Sequence, residues 1–369
     1  MTPQERIQAV YQGRTPDQVP LLLDLSHWYK KNRQLFFDLT GFTGVESQLV
    51  ALHRQCGAAL YCETGSHFDV YYEDDAVQSQ AWTDEQGVFH TRFSTPLGTI
   101  AEERVFNPAS YSYPVRKWLL RDLSDLRVLQ YALQRRKVRP RFDRYQAWAE
   151  AAGDLGFIYT FLSYSGLGYL ISRYMGVENT ILSIYDHPAE VEQFVQTVNE
   201  TNLRMLDEII DGPFQTLIVG DNHDVQVQSP TLFKRFTYDY YTELARRLHR
   251  AGKYLAVHVD GEMHGLLRLL DECGVDCIDA ATPAPMFSLT PEAARREAGD
   301  RLILSGGIPA TVFGSLATDQ EFVDTVKRWL DTRLQSSRLF LAAGDQVPID
   351  ASWQRIVMLA ELVERYGRY

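Results

Sequence analysis

Eight short apolar runs, each followed by a polar or glycine-containing turn, constrain the fold of this chain more than any other feature. Segments with helical periodicity separate most of them. Strands that are apolar on both faces belong to parallel sheets covered by helices. The runs are residues 19–25, 58–64, 157–164, 216–222, 253–261, 275–282, 301–308 and 338–345.

Eight such units predict an α/β fold, namely one (β/α)8 TIM barrel spanning residues 1–369 as a single domain. Between the second and third runs the pattern changes. Residues 70–110 alternate between apolar and polar, with Gly and Asp between the runs, which predicts an antiparallel β-hairpin insertion after the second strand. A doubly wound open sheet is the alternative, but no GxGxxG follows an early strand.

The composition excludes several classes of partner and compartment. A net charge of −11 argues against binding to nucleic acid, which would require a basic surface. No apolar stretch approaches the length of a membrane span, and the amino-terminal residues lack the apolar core of a signal peptide. The 4 cysteines form no CxxC pair, so a reducing, cytoplasmic setting is expected.

In a (β/α)8 barrel the functional residues lie just beyond the carboxyl ends of the strands. Two glycines near the end of the seventh run, Gly306 and Gly307, would either let a ligand approach the backbone or form a tight turn. An aromatic wall for a flat or cationic ligand is one use of the aromatic candidates, and core packing is the other. The candidates for substrate binding at the strand ends are His27, Trp28, Tyr29, Tyr164, Asp221 and Asn222.

The segment AVHVDGEMHG, residues 256–265, holds two histidines and two carboxylates at the end of the fifth run. Alternate residues of an extended segment share one face, so His258 and Asp260 should point the same way. With Asp345 from the eighth strand end they could form a His/Asp/Asp site for Zn²⁺ or another divalent ion.

The same two residues could instead act as an acid–base pair. His223 and Glu63, at two other strand ends, are the further catalytic candidates, since groups that are partly buried titrate near neutrality. The simplest alternative is that His258 only makes a hydrogen bond and that residues 260–261 form a turn.

Several stretches resemble the uroporphyrinogen decarboxylase superfamily, which includes methylcobamide:thiol methyltransferases. The resemblance runs from about residue 19 to residue 363 and implies a (β/α)8 barrel with a cleft at its carboxyl-terminal mouth. The stretches that carry it are TPLGTIAEE (95–103), GDNHDVQVQSPTLFKRFTYDYYTELARRLHRAGK (220–253), HRAGKYLAVHVDGEMHGLLRLLDECGVDCIDA (249–280) and GDRLILSGGIPATVF (299–313).

The chain departs from the decarboxylases of this superfamily in two places. They carry an arginine-rich loop after the first strand, which grips substrate carboxylates, whereas residues 23–32 here read LDLSHWYKKN. Lysine does not replace the bidentate fork of arginine. They also carry a histidine after the eighth strand, where this chain has AAGDQVPID at 342–350. Decarboxylation of a porphyrinogen is therefore not expected.

The methyltransferase branch holds zinc on a His-x-Cys pair after the fifth strand and on a second Cys after the eighth. The matching positions here are His258, Asp260 and about Asp345, so the spacing survives while both soft ligands are oxygen. The resemblance implies a divergent member near this branch.

The sequence therefore predicts a cytoplasmic methyltransferase that acts on a small-molecule substrate. It would transfer a methyl group to or from a corrinoid protein or a folate, as one part of a demethylation system, with a divalent metal as an expected cofactor. A decarboxylase or lyase acting on a small aromatic or tetrapyrrole acid is the second hypothesis. A non-catalytic ligand-binding barrel is the third, and a homodimer is expected from the resemblance.

Overall fold

A computed structural model of the protein describes residues 1–33, 42, 44, 46–64 and 67–369, with only the backbone at 63 and 64. In chain order the strands are β1 (Leu22–Leu23), β2 (Ala59–Thr64), β3 (Phe68–Tyr72), β4 (Gln78–Thr83), β5 (Val88–Thr95), β6 (Gly98–Val105), β7 (Val115–Lys117), β8 (Arg136–Pro140), β9 (Gly156–Phe161), β10 (Thr216–Val219), β11 (Tyr254–His258), β12 (Cys277–Ala281), β13 (Ile303–Ile308) and β14 (Leu339–Ala343).

The helices follow the same numbering: α1 (Pro3–Tyr11), α2 (Ser26–Arg33), α3 (Ser47–Cys56), α4 (Leu123–Gln134), α5 (Phe142–Ala152), α6 (Gly166–Tyr169), α7 (Val177–Asp186), α8 (Pro188–Ile209), α9 (Pro230–Phe236), α10 (Tyr238–Arg250), α11 (Leu267–Glu272), α12 (Pro291–Ala298), α13 (Asp319–Asp331) and α14 (Trp353–Tyr366). A π-helical turn, Leu170–Tyr174, continues α6. Within the described ranges, no helix combines the length and the apolar character needed to cross a membrane.

Eight parallel strands form the barrel, in the order β1, β2, β9, β10, β11, β12, β13 and β14. The last strand returns to the first: Leu21 forms a parallel bridge with Leu341, whose amide donates to the carbonyl of Pro20 at 2.9 Å. All eight strands coincide with the eight apolar runs, so the predicted (β/α)8 barrel is confirmed. β1 is the shortest of them and follows Pro20, which has no N–H to donate to a neighbour.

The predicted antiparallel insertion after the second strand is also confirmed, but it is larger than residues 70–110. β4 to β7 form a four-stranded antiparallel sheet, and β3 pairs with β8. The helix α4 lies between β7 and β8 and buries Leu126 and Leu129 in one core with Phe194 of α8. The insertion therefore extends to β8, because its apolar surfaces are buried against a barrel helix as well as against each other.

The amino-terminal end of the barrel is filled by α1. Ile7, Val10 and Tyr11 pack in one cluster with inward-facing strand residues, among them Ile218. The Tyr11 ring stacks on Phe157 with the centroids 5.3 Å apart. Apolar packing thus occupies this end of the barrel interior, and polar inward-facing side chains gather at the opposite, carboxyl-terminal end.

Gly306 and Gly307 lie inside β13. They therefore do not form a tight turn after the strand, which was one of their two expected roles. Both have left-handed backbone, with φ of +150° and +102°. A Cβ on Gly306 would overlap the backbone of Ala281, and one on Gly307 would overlap the indole of Trp329. These glycines are needed for close packing between β12, β13 and α13.

We expect Gly307→Ala to destabilise the protein by about 2–4 kcal/mol, because the new methyl group adds overpacking to a backbone conformation that alanine disfavours. Urea denaturation gives the free energy of unfolding. The matched control is Gly314→Ala, where a Cβ meets only the Asp350 carboxylate at 3.6 Å and the backbone is not left-handed. Equal midpoints for the two variants would contradict the packing described for β13.

Candidate active site

A cavity of about 270 Å³ opens at the carboxyl-terminal end of the barrel. Seven of the eight barrel strands, or the segments that follow them, contribute to it. Its lining consists of Leu22, Asp24, Tyr61, Phe161, Tyr164, Arg173, Gly220, Asn222, His258, Asp260, Asp279, Ala342, Ala343, Asp345 and Gln346.

The most buried ionisable pair in this lining joins two neighbouring strands. The parallel register of β11 and β12 sets His258 directly opposite Asp279. Nδ1 of His258 lies 3.0 Å from Oδ2 of Asp279, and the hydroxyl of Tyr61 donates to the same oxygen at 3.1 Å. Burial alone would lower the pKa of His258, but the hydrogen bond and charge of Asp279, with Asp345 and Asp260, raise that pKa to about 10. His258 is therefore an imidazolium at neutral pH.

Two carboxyl groups of the cavity titrate close to neutrality. Asp260 is reached by water inside the cavity, yet its enclosure by protein and the charge of Asp345 raise its pKa to about 6, against the lowering effect of His258. Burial, and again Asp345, raise the pKa of Asp24 to about 6, although the amide of Ser26 donates to it at 2.8 Å. Asp345 itself lies 3.8 Å from Nε2 of His258.

Irregular backbone accompanies these side chains. The register of β12 against β13 shifts between Ile278 and Ala281, and Ala280 there has φ +64°. Asn222, just beyond β10, has φ +49°. Bulges and left-handed residues of this kind re-aim side chains and are frequent next to active sites. The shift at Ala280 directly follows Asp279, which faces the cavity.

The opposite wall of the cavity is aromatic and carries one arginine. Arg173 belongs to the π-helical turn, and such turns are frequent at functional sites. Its guanidinium donates to the hydroxyl of Tyr164 at 2.7 Å and lies 4.9 Å from the centre of that ring. Phe161 meets Tyr164 edge-on, with the centroids 5.8 Å apart. Within the described ranges, no carboxylate oxygen lies within 4.0 Å of Arg173.

Four of the residues predicted to bind substrate lie outside the lining, and three of these belong to α2. Trp28 is buried and donates from Nε1 to the carbonyl of Ala351 at 2.8 Å. The hydroxyl of Tyr29 donates to Gln48 at 3.2 Å. His27 is half-buried, and burial lowers its pKa. Trp28 and Tyr29 are therefore packing residues, whereas His27 lies close enough to Asp345 of the lining for the charge of Asp345 to raise its pKa against the effect of burial.

Asp221 and His223 are fully buried behind the cavity wall. The hydroxyl of Tyr241 donates to Asp221 at 2.8 Å and lies 2.9 Å from Nε2 of His223. Asp221 also accepts from the amide of Ser165 at 2.5 Å. Burial lowers the pKa of His223. This network supports the loops after β9 and β10, and the structure gives neither residue access to the cavity.

Of the predicted site residues, the cavity brings together His258, Asp260, Asp345, Tyr164 and Asn222. The prediction for Glu63 concerns a side chain outside the described residues, although its backbone ends β2.

Five polar lining residues were not among the predicted site residues: Asp24, Tyr61, Arg173, Asp279 and Gln346. Asp279 had a usable signal, since it is a charged residue within the apolar run 275–282. Arg173 had none, because its placement depends on the π-helical turn.

The donor set does not fit a resident metal ion. In the described part of the chain, no group of three or more His, Cys, Asp or Glu side chains could hold one. Nδ1 of His258 is engaged by Asp279, so only Nε2 of this imidazole faces the cavity, and Asp345 lies 3.8 Å from it. The four cysteines are buried, and none lines the cavity. The acid–base groups are therefore the part of the lining that can act chemically.

A family model described as uroporphyrinogen decarboxylase (URO-D) matches residues 165–366. The chain belongs to this family. The match covers the five barrel strands from β10 to β14 and includes His258, Asp260, Asp279 and Asp345. Among curated proteins, none matches the chain.

One solved structure agrees on the architecture. A methyltransferase from Methanosarcina mazei is similar, with a TM-score of 0.66 and 13% identity, over 99% of this chain and 99% of that one. This likeness shows the fold alone. An exo-β-D-N-acetylglucosaminidase module from the pneumococcus aligns with a TM-score of 0.41 and 10% identity, over 95% and 85% of the two chains, which is too low to support an argument.

We expect Asp279→Asn to lower the pKa of His258 from about 10, because the imidazolium loses its hydrogen bond to a carboxylate and its strongest counter-charge while burial still disfavours the charged form. NMR titration of the histidine side chains measures this pKa. Asp276→Asn is the matched control, since Asp276 lies 2.8 Å from Nε2 of His249 outside the cavity. An unchanged His258 titration in Asp279→Asn would contradict the pairing.

The raised pKa of Asp260 also predicts a pH-dependent stability. A carboxyl whose folded pKa exceeds its unfolded value stabilises the fold when it is protonated, and this contribution is lost as pH rises through the folded pKa, here about 6. Asp260→Asn should therefore raise the melting temperature at pH values about two units above that pKa, and leave it unchanged about two units below. Asp324→Asn on the exposed face of α13 should change neither. A stabilisation of equal size at both pH values would exclude this origin.

Proposed function

We propose that this member of the URO-D family is a methyltransferase that moves a methyl group between a small substrate and an external methyl carrier, a corrinoid protein or a folate. It would serve as one component of a demethylation system. The observation that carries the proposal is Asp260, with a pKa of about 6, beside the imidazolium of His258 in a small cavity at the mouth of the barrel.

The chemistry requires a proton donor at the atom that loses the methyl group. When a C–N or C–O bond of the substrate breaks, the electron pair stays on nitrogen or oxygen, and the methyl group passes to the nucleophilic centre of the carrier. Asp260 supplies the proton to the leaving atom, since a general acid works best with a pKa near the working pH. His258, anchored by Asp279, stays charged and stabilises the carboxylate that Asp260 becomes.

The size of the cavity limits what can enter it. A volume of about 270 Å³ lies just below the range of pockets that bury drug-sized ligands. A corrinoid or a folate is larger than such ligands, so the carrier would approach the mouth while only the methyl-bearing substrate occupies the cavity. A tetrapyrrole substrate is disfavoured for the same reason.

The charge of the cavity distinguishes methyl transfer from the decarboxylation that the family name describes. Asp24, Asp260, Asp279 and Asp345 line it, and Arg173 is the one arginine among the lining residues. A substrate with several carboxylates would be repelled by this field. The electrostatics therefore favour a substrate with little net negative charge.

We expect the purified protein to accelerate methyl transfer when it is mixed with a methylated substrate and reduced cobalamin, followed by the absorbance of methylcobalamin. Asp260→Asn should lower kcat/KM by at least about a hundredfold, the usual contribution of a general acid. In the wild type, kcat/KM should fall as pH rises above about 6, because the protonated fraction of Asp260 decreases.

His264→Asn is the matched control for this assay. His264 belongs to the same AVHVDGEMHG segment, but its side chain is 71% exposed and contacts Glu297 at 3.0 Å. It should retain full activity. Release of CO₂ from a small acid, without methyl transfer to cobalamin or folate, would replace the proposal with the decarboxylase alternative. Ligand binding without turnover would favour a non-catalytic barrel.

A further inference from the structure

The lining of the cavity is divided into a negative side and a positive, aromatic side. The four aspartates form the negative side: Asp260 follows β11, Asp279 lies in β12, Asp345 follows β14 and Asp24 follows β1. These strands are consecutive around the barrel except for β13, which lies between β12 and β14. Arg173, Phe161 and Tyr164 belong to β9 and the segment after it. β10 and β2 separate the two sides.

Unused hydrogen-bonding capacity remains on both sides. Asp260 has no hydrogen bond or ion pair with another described residue, and Asp345 approaches only His258, at 3.8 Å. Arg173 has five N–H donors, of which one contacts Tyr164. Asp260 and Asp345 are exposed to the solvent of the cavity. Groups of opposite sign at two ends of one cavity favour a ligand that carries both charges, because each end of that ligand then gains a charge-assisted partner.

We propose that the substrate is a small betaine, that is, a molecule with a methylated ammonium group at one end and a carboxylate at the other. The carboxylate pairs with Arg173, and the ammonium lies near Asp24 and Asp345, next to the protonated Asp260 that later gives up its proton. This assignment rests on the proposed function, since it names the substrate of that same site.

One aromatic residue and the size of the cavity fit such a ligand. Tyr61 contacts Asp279 through its hydroxyl and so brings an aromatic ring to the side of the aspartates, and such rings attract quaternary ammonium groups. A water molecule takes up about 30 Å³ in the liquid, so the cavity holds a compact molecule of roughly eight to ten non-hydrogen atoms.

The transfer step balances for a betaine. The N–CH₃ bond breaks, its electron pair stays on nitrogen, and the methyl group passes to the carrier's nucleophile. The tertiary amine that remains takes the proton of Asp260. The ammonium product and the Asp260 carboxylate then carry opposite charges, which disfavours the return of the methyl group.

Isothermal titration calorimetry with three probes tests the assignment. Glycine betaine carries both charges, choline lacks the carboxylate, and tert-butylacetate replaces the ammonium with a neutral group of the same shape. Glycine betaine should bind at least about tenfold more tightly than either analogue, the usual scale of a charge-assisted contact. Equal or tighter binding of an analogue, or no binding of glycine betaine, would overturn the assignment.

Variants of Arg173 locate the carboxylate end. Arg173→Gln should weaken the binding of glycine betaine by about tenfold to a hundredfold and leave choline unchanged, since choline has no group for Arg173 to contact. Arg268→Gln, on the exposed face of α11, is the control and should change neither affinity. Melting temperatures show whether Arg173→Gln folds, and Arg173→Lys, which keeps the charge, should recover part of the affinity. Equal losses for glycine betaine and choline in a folded Arg173→Gln would overturn the role of Arg173.

The two proposals fail in different ways. If glycine betaine binds as described but no methyl group leaves it in the cobalamin or folate assay, the substrate class survives as a binding specificity and the methyltransferase proposal fails. If methyl transfer occurs from another substrate while glycine betaine does not bind, the betaine assignment fails and the methyltransferase proposal stands.

Discussion

The hydrogen bond between His258 and Asp279 is the interaction on which the chemistry of the cavity depends. It exists because β11 and β12 are neighbours in a closed parallel barrel whose register places the two residues side by side. A buried ion pair is favourable only when further hydrogen bonds complete it, and the hydroxyl of Tyr61 supplies one from β2. The pair fixes the charge of His258, and that charge limits how far the pKa of Asp260 rises.

The barrel could be predicted from the sequence because its signals are local. Each strand is an apolar run with its own turn, and eight of them in alternation with helices leave few other architectures. The boundary of the insertion was harder to predict. β8 is the polar segment Arg136–Pro140, and it forms a strand through pairing with β3, which lies far away in the sequence.

Part of the site followed from the rule that functional residues lie at the ends of barrel strands. The rule placed His258, Asp260 and Asp345 at one mouth, and alternation along the strand correctly gave His258 and Asp260 a shared face. The rule does not give the direction of a side chain in a loop or helix after the strand. Trp28 and Asp221 satisfy it by position, yet one packs in the core and the other lies in a buried network.

Two of the residues that were not predicted lie beside backbone irregularities, which hydrophobic periodicity does not detect. Asp279 precedes the shift at Ala280, and Arg173 reaches the cavity from a π-helical turn. Alanine rarely adopts a left-handed backbone conformation in a strand, so Ala280 keeps that conformation only because the surrounding packing enforces it. The closest packing of this region, between β12, β13 and α13 at Gly306 and Gly307, lies beside Ala280.

The carboxylates of the cavity oppose the stability of the fold, and this cost is informative. Asp24 and Asp260 both have pKa values raised by burial and by Asp345, so their ionised forms are less favourable in the folded chain than in water. Apolar or amide side chains would avoid the penalty at the same positions. A barrel closed between Leu21 and Leu341 and filled by α1 at the other end has packing to offset it. Ionisable side chains that weaken a fold and also converge on one cavity are expected at a site that is retained for its chemistry.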